Sequence, residues 1–253
     1  LTLAIVTMIV GSIPEGLPAT TSVILALGVS DLAKNKNAIV KSLPSAETLG
    51  AVDVIATDKT GTLTKNEMTV TDIYIDERHF SVSGSGYAPT GTLFINGEAT
   101  TEREAKLKEL LLAGYFANDT TFTQVDDTWT INGEPTDGAF LTAYHKLMSN
   151  KESVQLEKLD LLPFDSFHRY MASLIQLSNG AKKIYLKGAP DKLFNFAQQQ
   201  DPNFERSFWQ AKADHLANQG KRIVALGVIK DADQITELEH EHLENGFTFL
   251  GLT

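Results

Sequence analysis

The sequence predicts an α/β protein: a parallel-sheet catalytic domain, present in part, interrupted by an inserted α+β domain with an antiparallel sheet and preceded by one transmembrane helix. Three observations predict it. Residues 1 to 30 are predominantly apolar and carry a single charge, Glu15. A β-branched run, Val54-Ile55-Ala56-Thr57, drives into Asp58 and a Lys, Gly and Thr-rich turn, the pattern of a buried parallel strand with an acidic residue at its carboxyl end. Beyond residue 73, short strand patterns bounded by turn residues alternate with helical ones, the mark of an antiparallel sheet with helices.

A chain of 253 residues can hold more than one domain. The expected division is a transmembrane helix over 1–30, a linker over 31–50, the first part of the catalytic domain over 51–72, the inserted domain over 73–245 and a strand returning to the catalytic domain over 246–253. That last run, Phe247 to Thr253, reads as a strand cut short, and the whole as a fragment. The 32 acidic and 22 basic residues give a net charge of −10, which argues against a nucleic-acid surface. With no cysteine, disulfides and thiolate zinc sites are excluded.

The first element would be a helix of about 42 Å, longer than the roughly 30 Å of a bilayer core. A signal peptide would be shorter and begin with basic residues; a buried helix of a soluble protein is the other alternative. Glu15 sits near the midpoint, within Ile13-Pro14-Glu15-Gly16-Leu17-Pro18. An ionisable group at that depth costs about 2.5 kcal/mol or more, so it pairs or binds something. Pro14 and Pro18 each remove a backbone donor, leaving carbonyls near Val10, Gly11, Ser12 and Ile13 without helical partners. Carbonyls beside a carboxylate suit a hard cation such as Ca2+. A proline kink with Glu15 satisfied by a neighbouring helix explains the same residues equally well. Lys34, Lys36 and Lys41 follow the apolar run and place that end in the cytoplasm. Lys41 to Gly50 reads as a turn and a short helix with a glycine stop.

Asp58 is a candidate nucleophile, since a carboxylate at a strand end can attack the γ-phosphoryl of a nucleotide while Mg2+ neutralises charge. A strand ending in a helix-capping Asp is the plainer alternative. Asn66 to Asp76 begins a β-rich passage, and Gly84 to Gly91 is a loop of hairpin turns. No Walker A sequence occurs, so any ATP is bound without a P-loop. The periodicity predicts helices over 102–116 and 137–148, and strands over 159–164, 171–177 and 183–186, with Ser178-Asn179-Gly180 turning a hairpin. Helices over 191–198 and 203–218 and a strand over 222–229 follow. Phe164 and Met171 bracket an aromatic and basic stretch suited to adenine and phosphate. Lys187-Gly188-Ala189-Pro190 sets a lysine at a strand end before a tight turn, and Arg222 opens a strand after Gly220. Singly, each of these is ordinary structure. His240 and His242, at i and i+2 on a charged helix face, point apart and read as solvated surface.

Asp58-Lys59-Thr60-Gly61-Thr62-Leu63-Thr64 resembles the phosphorylation motif of P-type ATPases, the pumps that form an aspartyl phosphate. The resemblance implies that Asp58 is phosphorylated, with Lys59 and Thr60 beside it in the catalytic set, and that Asp58 and Thr60 hold Mg2+. It also implies a partial haloacid-dehalogenase-like phosphorylation domain. Related phosphatases usually carry a second Asp where Thr60 stands; a soluble member of that class is the alternative enzyme, and an ATP-binding module without chemistry of its own is a third reading. Pro14-Glu15-Gly16-Leu17-Pro18 is similar to the fourth transmembrane helix of type II pumps, most closely the calcium branch, which implies that Glu15 and the carbonyls of Val10, Gly11 and Ile13 bind the transported cation, Ca2+ or, in other branches, Na+. The later segments resemble the pumps' nucleotide-binding domain. By that likeness Phe164 stacks on adenine, Met171 lines the pocket, Lys187 and Asp137 lie beside the purine, and Arg222 reaches the phosphates. Ser166 stands where calcium pumps of animal reticulum carry Arg, so His168 or Arg169 would supply the second phosphate contact. The implied cofactors are ATP and Mg2+. The implied partners are the cation, the bilayer and the remaining domains of the same pump, a multi-pass protein of the plasma membrane with residues after about 30 cytoplasmic. Without those domains the chain should neither transport nor sustain turnover.

Overall fold

A computed structural model describes residues 2–12, 16–101, 104–126, 128–148 and 156–253, which fall into two compact units, Leu1–Leu63 and Thr64–Thr253. In the first unit, helices α1 (Thr2–Gly11) and α2 (Gly16–Lys36) carry the apolar run. The stretch Thr2–Lys36 is long and apolar enough to cross a membrane, by length and composition, and its most apolar window buries nothing against protein. Leu3, Met8, Leu17, Val23, Ile24 and Leu27 are all exposed. Their burial therefore has to come from a medium or partner outside this unit. Helix α2 continues six residues past the expected boundary at 30, because Asp31, Lys34 and Lys36 are good helix surface residues and Asn35 donates to Asp31 at 2.5 Å one turn back. Val10 and Gly11 close α1, while Ile13 and Glu15 lie outside the described residues. Helix α3 (Leu43–Leu49) follows, with Pro44 in its first turn.

The buried parallel strand expected to end at Asp58 is not formed. Residues 52–58 belong to no strand, and Val54 and Ile55 are 83% and 81% exposed. A parallel strand needs hydrogen-bonded neighbours, and no strand lies among the described residues of this unit. The β-branched pattern is there; its partners are not.

The second unit is built on an antiparallel sheet of nine strands among the described residues, in the order β4-β3-β2-β1-β11-β10-β9-β8-β7. The strands are β1 (Asp72–Ile75), β2 (Arg78–Val82), β3 (Leu93–Ile95), β4 (Glu98–Thr100), β7 (Leu156–Leu162), β8 (Tyr170–Leu177), β9 (Lys182–Gly188), β10 (Ala225–Ile229) and β11 (Phe247–Leu252). Hairpin β5 (Thr121–Val125) and β6 (Thr128–Asn132) stands apart. Asn96 and Gly97, with φ of 53° and 82°, turn the β3–β4 hairpin, a two-residue turn that demands left-handed backbone. The predicted Ser178-Asn179-Gly180 turn joins β8 to β9. The strand expected over 246–253 forms as β11, but the expectation that it returns to the catalytic domain is corrected: it lies inside this sheet, paired with β1 and β10.

Helices α4 (Ala105–Phe116) and α5 (Pro135–Leu147) cover one face of the sheet, where Leu107, Leu110 and Phe140 meet Met171, Tyr185 and Leu226. Helices α6 (Pro190–Gln200) and α7 (Arg206–Ala217) cover the other, where Leu193, Phe194 and Trp209 meet Leu174, Ile184 and Leu186. Each such side chain contributes about 1.5–3 kcal/mol when fully buried. Two expected strand bounds are corrected. Strand β7 stops at Leu162, since Pro163 has no N–H for a ladder, and this leaves Phe164 in a loop. Arg222 does not open a strand, because β10 begins at Ala225, where pairing with Gly188 and Leu252 begins.

Strand β11 bulges at Leu250, so that Leu226 faces Gly251 while Gly227 faces Phe249. A Cβ on Gly251 would lie 2.1 Å from the backbone oxygen of Tyr74 and 2.9 Å from Leu110. Gly251→Ala should therefore push β1 from β11 and destabilise by about 1–3 kcal/mol. Thermal unfolding checks this, and a melting temperature equal to the parent's would show that the two strands separate freely here.

Candidate functional site

Asp137 enters on the first turn of α5, after Pro135 sets the helix start, and is 6% exposed. Lys187 is the second-last residue of β9, 5% exposed, and its Nζ lies 2.6 Å from Asp137 Oδ1 and 5.1 Å from the centre of the Phe140 ring. Burial pushes the Asp137 carboxyl up and the Lys187 ammonium down, each the direction in which water is missed. Their attraction opposes both shifts, and Asp119 acts on both groups. Met171 is directly opposite Lys187 across β8 and β9, so the two share a sheet face. Arg222 donates from Nη1 to Thr136 Oγ1 at 2.8 Å, one residue before Asp137.

Four predicted nucleotide-site residues are thus joined: Met171 to Lys187, Lys187 to Asp137, and Arg222 to the residue before it. Phe164 stands outside this contact set, 58% exposed on the loop between β7 and β8. An exposed aromatic ring on a loop is available for a planar ligand, and nothing in the core depends on it. His168 and Arg169 are engaged, His168 with Asp165 at 2.7 Å and Arg169 with Asp191. Gly188, expected to let a ring approach, instead lets β8 approach: a Cβ there would lie 2.6 Å from both Arg169 O and Tyr170 Cβ.

Beside this set a cavity of about 360 Å³ opens between Val70, Asp72, Thr136, Phe140, Lys221, Arg222 and Thr253. That size suits a small organic ligand. Burial pushes the Asp72 carboxyl up, but hydrogen bonds from Lys221, Thr71 and His79 outweigh it and hold the group below the usual range. Lys221 reaches Asp72 at 2.7 Å and His79 reaches it at 2.9 Å.

Sequence reasoning missed the supports of Asp137. Asn118, 2% exposed, donates to the Asp137 carbonyl at 2.9 Å and accepts from the Thr120 N–H at 2.8 Å. Lys158 Nζ donates to the Asn118 carbonyl, and burial pushes that ammonium down. An Asn just past a helix end is a weak sequence signal for a cap or turn; Lys158 had none, since one charge on a strand is ordinary.

In the first unit, Asp58 is exposed and its Oδ1 accepts the Lys59 N–H at 2.7 Å. Thr60 (φ −78°, ψ 121°) and Gly61 (φ 74°, ψ 0°) form the centre of a type II turn, whose second central position requires positive φ. A carboxylate and threonine oxygens two residues apart are hard donors of the kind Mg2+ takes, so the residues fit that ion.

An antiparallel sheet with paired helices on both faces, and a buried Lys–Asp pair at the foot of a helix, is not a P-loop fold. Comparison with known proteins gives the family. The family model described as "P-type ATPase, cytoplasmic domain N" matches residues 106–253. Cation-transporting ATPase pma1 of Synechocystis is 35% identical over 263 residues, covering 98% of this chain and 29% of that protein. Calcium-transporting ATPase of Bacillus subtilis is 35% identical over 264 residues, covering 99% and 29%. Human calcium-transporting ATPase type 2C member 1 is 33% identical over 247 residues, covering 92% and 26%. The chain belongs to the P-type ATPase family, and it spans less than a third of the length of these relatives.

Proposed function

We propose that this chain is the ATP-binding and phosphorylated portion of a cation pump, with Ca2+ as the transported ion. The observation that carries the reading is the exposed Asp58 carboxylate immediately before the Thr60-Gly61 turn, in a family whose members are named as cation- and calcium-transporting ATPases. The residue bounds 1–30, 31–50, 51–72 and 73–245 are proposed as spanning helix, linker, first part of a haloacid-dehalogenase-like phosphorylation domain and nucleotide-binding domain, with 246–253 counted in the last because β11 lies inside its sheet.

In this reading Asp137, Met171, Lys187 and Arg222 hold ATP together with Phe164, which stacks on adenine. An oxygen of Asp58 attacks the γ-phosphorus in line; the bond to the bridging oxygen breaks and ADP leaves, so that an acyl phosphate remains on Asp58. Lys59 lies beside that carboxylate and offsets its charge. Asp58 and Thr60 would hold Mg2+, which supplies charge neutralisation at the phosphoryl oxygens. Glu15, with the carbonyls of Val10, Gly11 and Ile13, binds the cation. The apolar, unburied α1 and α2 residues support a bilayer location, the plasma membrane in this proposal, with the Lys-bearing end of α2 cytoplasmic.

Acid-stable incorporation of labelled phosphate from ATP, in a pump containing this chain, tests the proposal. Label should fall to background when Ca2+ is chelated. Label indifferent to Ca2+ overturns the ion and leaves another cation; steady release of phosphate from small phosphoesters would instead favour a phosphatase.

A further inference from the structure

We infer that His168 and His240 form, with Asp165, a site for a divalent transition-metal ion of the zinc class, separate from the Mg2+ and transported-cation sites proposed above. One donor atom from each of the three residues lies within 4.8 Å of the others. The two imidazole rings stack with centroids 3.7 Å apart and an interplanar angle of 18°. They come from distant places: His168 from the loop that precedes β8, and His240 from the 3-10 turn His240–Leu243. This corrects the expectation that His240 is plain solvated surface. The argument against a His240–His242 pair stands, since His242 Nδ1 instead accepts the Glu239 N–H at 3.0 Å within its own turn.

The hydrogen bonds sort the ring nitrogens. His168 Nδ1 lies 2.7 Å from Asp165 Oδ2, and His240 Nδ1 lies 2.8 Å from the Tyr170 hydroxyl. On the His168 side the ion would take the place of the proton shared by Nδ1 and Asp165 Oδ2, so that both atoms become ligands, while His240, held through Nδ1 by Tyr170, offers its Nε2. For His240, a hydroxyl on the far side of the ring is the usual arrangement behind a metal-ligating histidine. Asp165 is itself fixed, because its Oδ1 accepts the Phe167 and His168 N–H groups at 2.8 Å each. Tyr170 is buried, 5% exposed, and anchors the His240 side from the core.

Donor chemistry selects the ion. Two imidazoles and one carboxylate suit zinc and its neighbours, whereas Mg2+ and Ca2+ take sets dominated by oxygen. Tetrahedral zinc, with bonds of about 2.0–2.1 Å, sets its ligands about 3.3 Å apart, so the side chains must close by at most about 1.5 Å. His168 and Asp165 side chains, 33% and 42% exposed, have room to turn. The bound ion would tie the loop carrying Phe164 to the turn before β11.

The test is Co2+ titration of the whole 253-residue chain in detergent, without a histidine tag, followed by absorption, with Zn2+ as competitor. The expected result is one equivalent of Co2+ bound with the intense visible bands of a tetrahedral ion and displaced by Zn2+. His168→Gln, His240→Gln and Asp165→Asn should each weaken binding at least about 100-fold, and Tyr170→Phe, which only holds His240, about 10- to 100-fold. Metal-free melting of the His variants reports folding and should match the parent's. Absence of a saturable one-equivalent site overturns the inference. So does a site that survives both His variants.

Discussion

Asp58→Asn, in a pump containing this chain, should abolish acid-stable phosphate incorporation from ATP, a loss of about 10³-fold or more. The amide is nearly isosteric with the carboxylate but is not a nucleophile toward phosphorus, and removing a covalent nucleophile typically costs at least this much. Folding should not change. Asp58 is exposed, and the bond its side chain accepts from the Lys59 N–H at 2.7 Å can be accepted by the Asn carbonyl oxygen. ATP affinity should be equal or tighter, because a negative charge that opposes the γ-phosphate is gone. Labelling and nucleotide binding measured on the same preparation separate chemistry from binding. Label retained by the variant would move the phosphorylated residue elsewhere and remove Asp58 from the mechanism.

Lys187→Met should lower the stability of the second unit by about 3–5 kcal/mol, the usual cost of removing one member of a buried ion pair. Its partner Asp137 would be left as a carboxylate with 9% side-chain exposure and without its 2.6 Å ion pair, with Lys158 as a partial compensator. At roughly 2–4 °C per kcal/mol for a domain of this size, the melting temperature should fall by about 6–20 °C. The pH dependence has a definite sign. Burial already raises the Asp137 carboxyl, and losing Lys187 raises it further, so the variant's penalty is largest near neutral pH, shrinks as the pH falls through that raised range, and is gone below about 4, where the unfolded chain's Asp is also protonated. Asp137→Asn combined with Lys187→Met should recover most of the loss at neutral pH, since no buried charge remains. Melting curves of the three proteins at two pH values check this. A Lys187→Met protein that melts within about 2 °C of the parent would show that Asp137 finds water or another cation.

Much of the second unit was legible because its signals are local. Leu107, Leu110 and Leu111 recur at helical spacing and are buried in α4. Asn179 and Gly180 mark a turn and make one between β8 and β9. The Val54 strand was legible as a pattern but did not form. A strand's stability lies in hydrogen bonds to other strands, and the pattern cannot say whether those strands are present. Phe164 was read one step too far into a strand, although Pro163 was there to end it.

For the site, the residue types were readable and their neighbours were not. Asp137, Met171, Lys187 and Arg222 could be named from motif resemblance, but Thr136, Asn118 and Lys158 reach them only through folding. His240 shows the difference most plainly: its sequence neighbours are charged, while its stacking partner, His168, arrives from the loop before β8. The sequence by itself determined the apolar first segment, the Asp58 turn, the strand and helix periods and the family, because each depends on residues close together in the chain. Only the tertiary structure decided which strands pair, which charges are buried together and which imidazoles meet, because those depend on contacts between distant residues, and such contacts exist only once the sheet has assembled.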